Sequence, residues 1–204
     1  MKIKVCGMKY PENIRSVLAL GIDWMGFIFY PKSARYFDGD LSGIDFGKTK
    51  KVGVFVDENP EILLQKARRY ALDYIQLHGA ESPEYIRRIK DEGFKIIKVF
   101  RVGKEFDFSV CQDYTGWADL FLFDTKGKLP GGNGEQFDWK ILENYREDKS
   151  FLLSGGIGLK HADQVLNFHH PRCIGVDVNS GFEIEPGLKN VAELKEFIQQ
   201  LSGL

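Results

Sequence analysis

Residues 51–79 read KVGVFVDENPEILLQKARRYALDYIQLHG, and the fold turns on this stretch. The run at 51–56 is short, β-branched and apolar on both faces, as a buried parallel strand requires. Asn59 and Pro60 then stand where a helix N-cap and first turn belong, and apolar residues at helical spacing follow them. A second dense run, DYIQL at 73–77, closes the stretch. Two strands separated by a helix of this length pair in parallel through a crossover.

The unit repeats outward in both directions. Strand-like runs lie at 3–6, 24–29, 51–56, 73–77, 95–100, 119–123, 150–154 and 173–178. PENIRSVLALG, with Pro11 and the stop at Gly21, and SPEYIRRIKDEG, with Ser82, Pro83 and Gly93, repeat the helix design. Weaker helical patterns fit 137–146, 159–168 and 188–201, while 38–48 and 105–117 read as barely helical. Eight units of roughly 25 residues reach the lower size limit of a closed (β/α)8 barrel, the TIM barrel. An open doubly wound sheet is the competing architecture. The barrel is favoured because polar residues follow the strands around the whole cycle. With no linker or low-complexity tract, residues 1–204 read as one α/β domain.

Lys and Arg total 28 against 29 Asp and Glu, a net charge of -1. That balance offers nothing to a polyanion such as nucleic acid. The chain enters a strand pattern at once and has no long apolar run, so a cytoplasmic protein without membrane contact is expected. Cys6, Cys111 and Cys173 cannot all pair and lack CxxC spacing, which argues against a disulfide framework or structural zinc.

In such barrels the loops after the strands build the active site. SGGIG at 154–158 and NSG at 179–181 follow the seventh and eighth strands, the usual phosphate position. Backbone amides at Gly155, Gly156, Ser180 and Gly181 can approach a phosphate closely, although such glycines also serve simple turns. GGIGLKH is a partial dinucleotide fingerprint with His161 in the third glycine position, a weak signal.

Cys6 ends the first strand. A lone strand cysteine is ordinarily a small buried hydrophobe. Asp124 changes its meaning, because it ends DLFLFD on the face of Leu120 and Leu122, and so points at the mouth if those fill the barrel. A thiolate facing a protonated carboxyl would suit proton transfer at carbon coupled to ring opening. Alternation also puts Lys4 inside, where Asp177 could pair with it. Arg35 is suited to a ligand carboxylate. His78 is either structural or a substrate contact. His161, His169 and His170 read as helix-surface residues, and Cys111, in a presumed helix, and Cys173 as inert. Gly131, Gly132 and Gly134 would let the loop after the sixth strand close over a ligand. Lys4 and Lys98 are not at strand tips, which lowers an aldolase reading.

Taken together, KVCGM, GFIFYPKSARY, VGVFV, IQLHG, FDT, GGNGEQFDW, LSGGI and VDVNSGFE resemble the phosphoribosylanthranilate isomerases from residue 3 to about 187. The resemblance implies an Amadori rearrangement without metal or cofactor. It implies Cys6 as general base, Asp124 as general acid, Arg35 on the anthranilate carboxylate, and phosphate on Gly155, Gly156, Ser180 and Gly181 with Asp177 nearby. Partners are then a small phosphorylated substrate and at most a second copy of the chain, as monomer or homodimer. The family commonly has proline at Ala34 and serine at Asn179. Indole-glycerol phosphate synthase chemistry would need a catalytic lysine at a strand end, and no convincing one is present. A binding barrel without turnover is the reading from another class, against which the retention of Cys6 and Asp124 argues.

Overall fold

The computed structural model describes residues 1–125 and 138–203. Eight parallel strands close into a barrel in sequence order: β1 (Lys2–Val5), β2 (Trp24–Ile28), β3 (Lys50–Phe55), β4 (Tyr74–Leu77), β5 (Lys95–Val102), β6 (Leu120–Thr125), β7 (Phe151–Leu153) and β8 (Cys173–Val178). Closure runs through β1 and β8, with Lys4 opposite Asp177. Trp24, Val52, Ile97, Val99, Leu120, Leu122 and Leu152 fill the barrel interior. A larger apolar layer, rich in Phe, lies between the strands and the outer shell.

Helices α1 (Pro11–Leu18), α2 (Pro60–Arg69) and α3 (Pro83–Asp91) each begin at the proline the sequence indicates. Asn59 Oδ1 accepts from the amides of Glu61 at 2.9 Å and Ile62 at 3.3 Å, and Ser82 Oγ accepts from Tyr85 at 3.3 Å. The prolines give up only an amide that a first turn leaves unpaired.

The other crossovers are slighter than expected. Phe108–Tyr114 and Trp139–Asn144 are 3-10 helices, each started by an aspartate side chain, and 38–48 forms turns. Residues 159–168 divide into a 3-10 turn, Leu159–His161, and α4 (Ala162–Leu166). His169 and His170 therefore lie beyond α4, not on its surface. The expected helix at 188–201 starts late for a specific reason. Strands β9 (Glu183–Glu185) and β10 (Leu188–Lys189) form a hairpin over Pro186 and Gly187, so α5 (Val191–Ser202) begins only after Asn190. Gly131, Gly132 and Gly134 fall outside the described residues.

One device recurs at the amino-terminal end of the barrel. Asp23, Asp73 and Asp119 precede β2, β4 and β6, and each accepts a backbone N–H from the strand before, at Ile3, Lys51 and Ile96, at 2.8–2.9 Å. Strand ends there would otherwise leave amides unpaired, and the carboxylates also set the register.

Candidate active site

The carboxy-terminal ends of the strands open into one pocket lined by Cys6, Arg35, His78, Asp124, Gly155, Gly156, Asp177, Ser180 and Gly181, together with Gln76 and Asn179. The residues named above as base, acid, carboxylate anchor and phosphate contacts, with His78 and Asp177, therefore border a single space. Going round the ring, Arg35 follows β2 on one side of Cys6, and the glycine loops after β7 and β8 lie on the other. Asp124, on β6, is three strands from β1 and faces Cys6 across the mouth.

Cys6 is buried just beyond β1, where its amide donates to Val178 O at 2.9 Å. Burial pushes its thiol above the ordinary range, although the Lys4 and Lys189 ammonium groups pull the other way. Lys4 Nζ donates to Asp177 Oδ1 at 2.7 Å inside the barrel. Burial disfavours that ammonium, but Asp177 and Cys6 outweigh it and hold the Lys4 pKa above its usual value. Gly7 explains the dipeptide Cys6-Gly7: its φ is +74°, and a Cβ there would lie 2.7 Å from Asn179 Oδ1 and 2.9 Å from Arg35 Cδ.

Asp124 is buried, its Oδ1 accepts from the Thr125 amide at 2.9 Å, and its Oδ2 stands 3.4 Å from His78 Nε2. That last contact is too poorly aligned to count as a hydrogen bond. Gln76 Nε2 approaches the other ring nitrogen of His78 at 3.4 Å.

The two glycine loops pack directly on each other. A Cβ on Gly181 would lie 2.1 Å from Ile157 O, and one on Gly155 would lie 2.1 Å from Thr125 Oγ1. Among the described residues, the amides of Gly155, Gly156, Ser180 and Gly181 donate to no backbone carbonyl. Backbone amides of glycine-bearing turns at the mouth are donors of the kind an anion takes.

Sequence reasoning missed the groups around Arg35. Arg35 Nε and Nη2 clasp Glu183, with contacts of 2.6–2.9 Å, and Lys189 Nζ donates to Glu183 Oε1 at 2.6 Å and to Asn179 Oδ1 at 2.7 Å. The signal was present in EPG at 185–187, a turn between two short extended runs, which reads as a hairpin. Elsewhere, Lys98 donates to Glu81 Oε2 and Gly79 O, both at 2.8 Å, away from the pocket. Cys111 and Cys173 lie outside the pocket, and burial raises both thiols, to about 12 and about 11. No group of three or more His, Cys, Asp and Glu able to hold a metal occurs among the described residues. None of their helices is long and apolar enough to cross a membrane.

A family model described as N-(5'phosphoribosyl)anthranilate (PRA) isomerase matches residues 3–200. The chain belongs to this isomerase family. An N-(5'-phosphoribosyl)anthranilate isomerase of Parabacteroides distasonis is 48% identical over 98% of this chain and 93% of its own. The phosphoribosyl anthranilate isomerase of Thermotoga maritima superposes with a TM-score of 0.85 at 33% identity, covering both chains fully. A second solved isomerase, in complex with reduced 1-(o-carboxyphenylamino)-1-deoxyribulose 5-phosphate, superposes with a TM-score of 0.82 at 32% identity, again over both chains. As a phosphoribosylanthranilate isomerase, the chain is an enzyme of tryptophan biosynthesis that interconverts an aldose and a ketose on a TIM barrel.

Proposed function

We propose that Cys6 and Asp124 are the base and acid with which this site converts N-(5'-phosphoribosyl)anthranilate into 1-(2-carboxyphenylamino)-1-deoxyribulose 5-phosphate. The observation that supports it is the order around the mouth: Cys6 lies between Arg35 on one side and the β7 and β8 loops on the other, with Asp124 opposite. A substrate with its carboxylate on Arg35 and its phosphate on Gly155, Gly156, Ser180 and Gly181 presents the carbons between those ends to both groups.

The protonated Asp124 carboxyl gives its proton to the ring oxygen while the bond from that oxygen to C1 breaks. The anthranilate nitrogen lone pair forms the C1–N double bond of the Schiff base. Cys6 thiolate then removes the C2 proton, and the C2–H electron pair forms an enolamine. Tautomerisation, which adds a proton at C1 and takes the one on the C2 hydroxyl, yields the ketose. Each step moves a proton, and the positioned side chains are of the type that supply factors of about 10²–10⁴ each. His78 would orient Asp124, and Asp177 would hold the Lys4 ammonium beside Cys6, where it favours the thiolate.

On this reading residues 1–204 act as one catalytic domain in the cytoplasm, as monomer or homodimer, with a small phosphorylated substrate and neither cofactor nor nucleic acid. The test is turnover of fresh phosphoribosylanthranilate, followed by anthranilate fluorescence, in wild type, Cys6→Ser and Asp124→Asn. Folded variants that each lose at least about a hundredfold in kcat support the roles. A serine variant close to wild type would make Cys6 a packing residue.

A further inference from the structure

The VDVNSGFE motif ends on a glutamate to which the reaction above assigns no part. Glu183 and Lys189 sit on the hairpin that follows the eighth barrel strand. Their side chains are 5% and 0% exposed, and Arg35, which Glu183 holds, is 16% exposed. We infer that Glu183 and Lys189 are positioning residues that shape Arg35 into a selective receptor for the substrate's aromatic carboxylate. The inference rests on Arg35 being the carboxylate anchor and goes beyond it by saying what makes the anchor work.

Geometry comes first. Glu183 takes the Nε and Nη2 edge of the guanidinium, while Nη1 makes no hydrogen bond among the described residues. A free arginine side chain has many rotamers, and a prior clasp removes that freedom before ligand arrives. The clasp therefore leaves one edge of a fixed plane for a second carboxylate.

Charge comes second. Arg35 paired with Glu183 alone is neutral and has no net attraction for another anion. Lys189 corrects this: two cations and one carboxylate leave the cluster with one positive charge, matched to one incoming carboxylate. Lys189 is held for the task. Its ammonium donates to Glu183 and Asn179, and its backbone is locked to the Asn13 side chain by bonds of 2.8 Å and 2.9 Å. Asn179, where the family commonly has serine, thus carries an acceptor that reaches Lys189.

The experiment compares two substrates, phosphoribosylanthranilate and its carboxylate-free counterpart made from ribose 5-phosphate and aniline. The readout is the ratio of their kcat/KM values, in which any effect on Cys6 or on general packing cancels. Glu183→Gln and Lys189→Met should each lower that ratio at least fivefold, chiefly through KM for the anthranilate compound. Combining Glu183→Gln with Arg35→Gln should lower it no further than Arg35→Gln alone. Glu183→Asp, which keeps the charge but retracts it, gives a partial fall and serves if the glutamine variant does not fold. A constant ratio in folded Glu183 and Lys189 variants, with a fall in Arg35→Gln, overturns the inference and leaves Arg35 as the anchor. A constant ratio in Arg35→Gln itself overturns the anchor.

Discussion

Lys4 Nζ and Asp177 Oδ1 are 2.7 Å apart on the two strands whose pairing closes the barrel, with the lysine side chain wholly buried. A buried ion pair is weak evidence of net stabilisation, but removing one partner strands the other charge, at about 3–5 kcal/mol. Lys4→Met should therefore lower the unfolding free energy, read from urea titration, by that order. Lys4→Met with Asp177→Leu should recover much of the loss. A silent single substitution would show that the pair contributes nothing.

Cys6 gives a prediction with a sign. Burial holds its thiol above the ordinary value of 9.0, so the reactive thiolate is scarce at neutral pH and grows as pH rises. Iodoacetamide labelling of Cys6, read by mass spectrometry, should keep accelerating past pH 9. Lys189→Met removes a cation that opposes the burial effect and should move the rise higher. A plateau at or below pH 8 contradicts this.

His78 stands 3.4 Å from Asp124 through its Nε2. His78→Asn should lower kcat by about tenfold or more with little change in KM, since it alters the setting of a proton donor and not the substrate's anchors. A change confined to KM would make His78 a substrate contact instead.

The glycine loops predict a steric outcome. Gly181→Ala puts a methyl group 2.1 Å from Ile157 O, so the two glycine loops must part. Titration with inorganic phosphate should show at least tenfold weaker binding than in wild type, with KM raised alongside. Unchanged phosphate affinity in a folded variant would place the phosphate elsewhere.

Glu183 links the site to acid stability. Burial acts to raise its pKa, but the bonds from Arg35 and Lys189 prevail and hold it below the ordinary 4.5. The folded state thus binds fewer protons near that pH than the unfolded chain does. Its contribution is complete above about 4.5 and disappears as pH falls through the lowered value. Urea melts from pH 6 to 3 should show a shallower loss in Glu183→Gln than in wild type.

Much of this was legible because parallel barrel strands, covered on both faces, make dense apolar runs that a sequence cannot hide. Asp124 was placed by the alternation of Leu120 and Leu122, and Lys4 by that of Cys6. The crossovers were harder to read. Short 3-10 turns such as Trp139–Asn144 carry too little periodicity to separate from helix. Glu183 went unread for another reason: its partner Arg35 is 148 positions away, and nothing local marks that encounter. The register aspartates Asp23, Asp73 and Asp119 repeat visibly, but only the closed sheet shows which amides they meet.

The clamp between Asn13 and Lys189 joins positions 176 apart. During synthesis, Cys6 and Arg35 leave the ribosome well before Glu183 and Lys189, with 148 positions between Arg35 and Glu183. Nascent chains truncated before residue 183 would carry the proposed acid and base but lack the electrostatic setting of both Cys6 and Arg35. Full activity then waits on synthesis of the hairpin, at about 5–20 residues per second, and not on the assembly of the proposed acid and base.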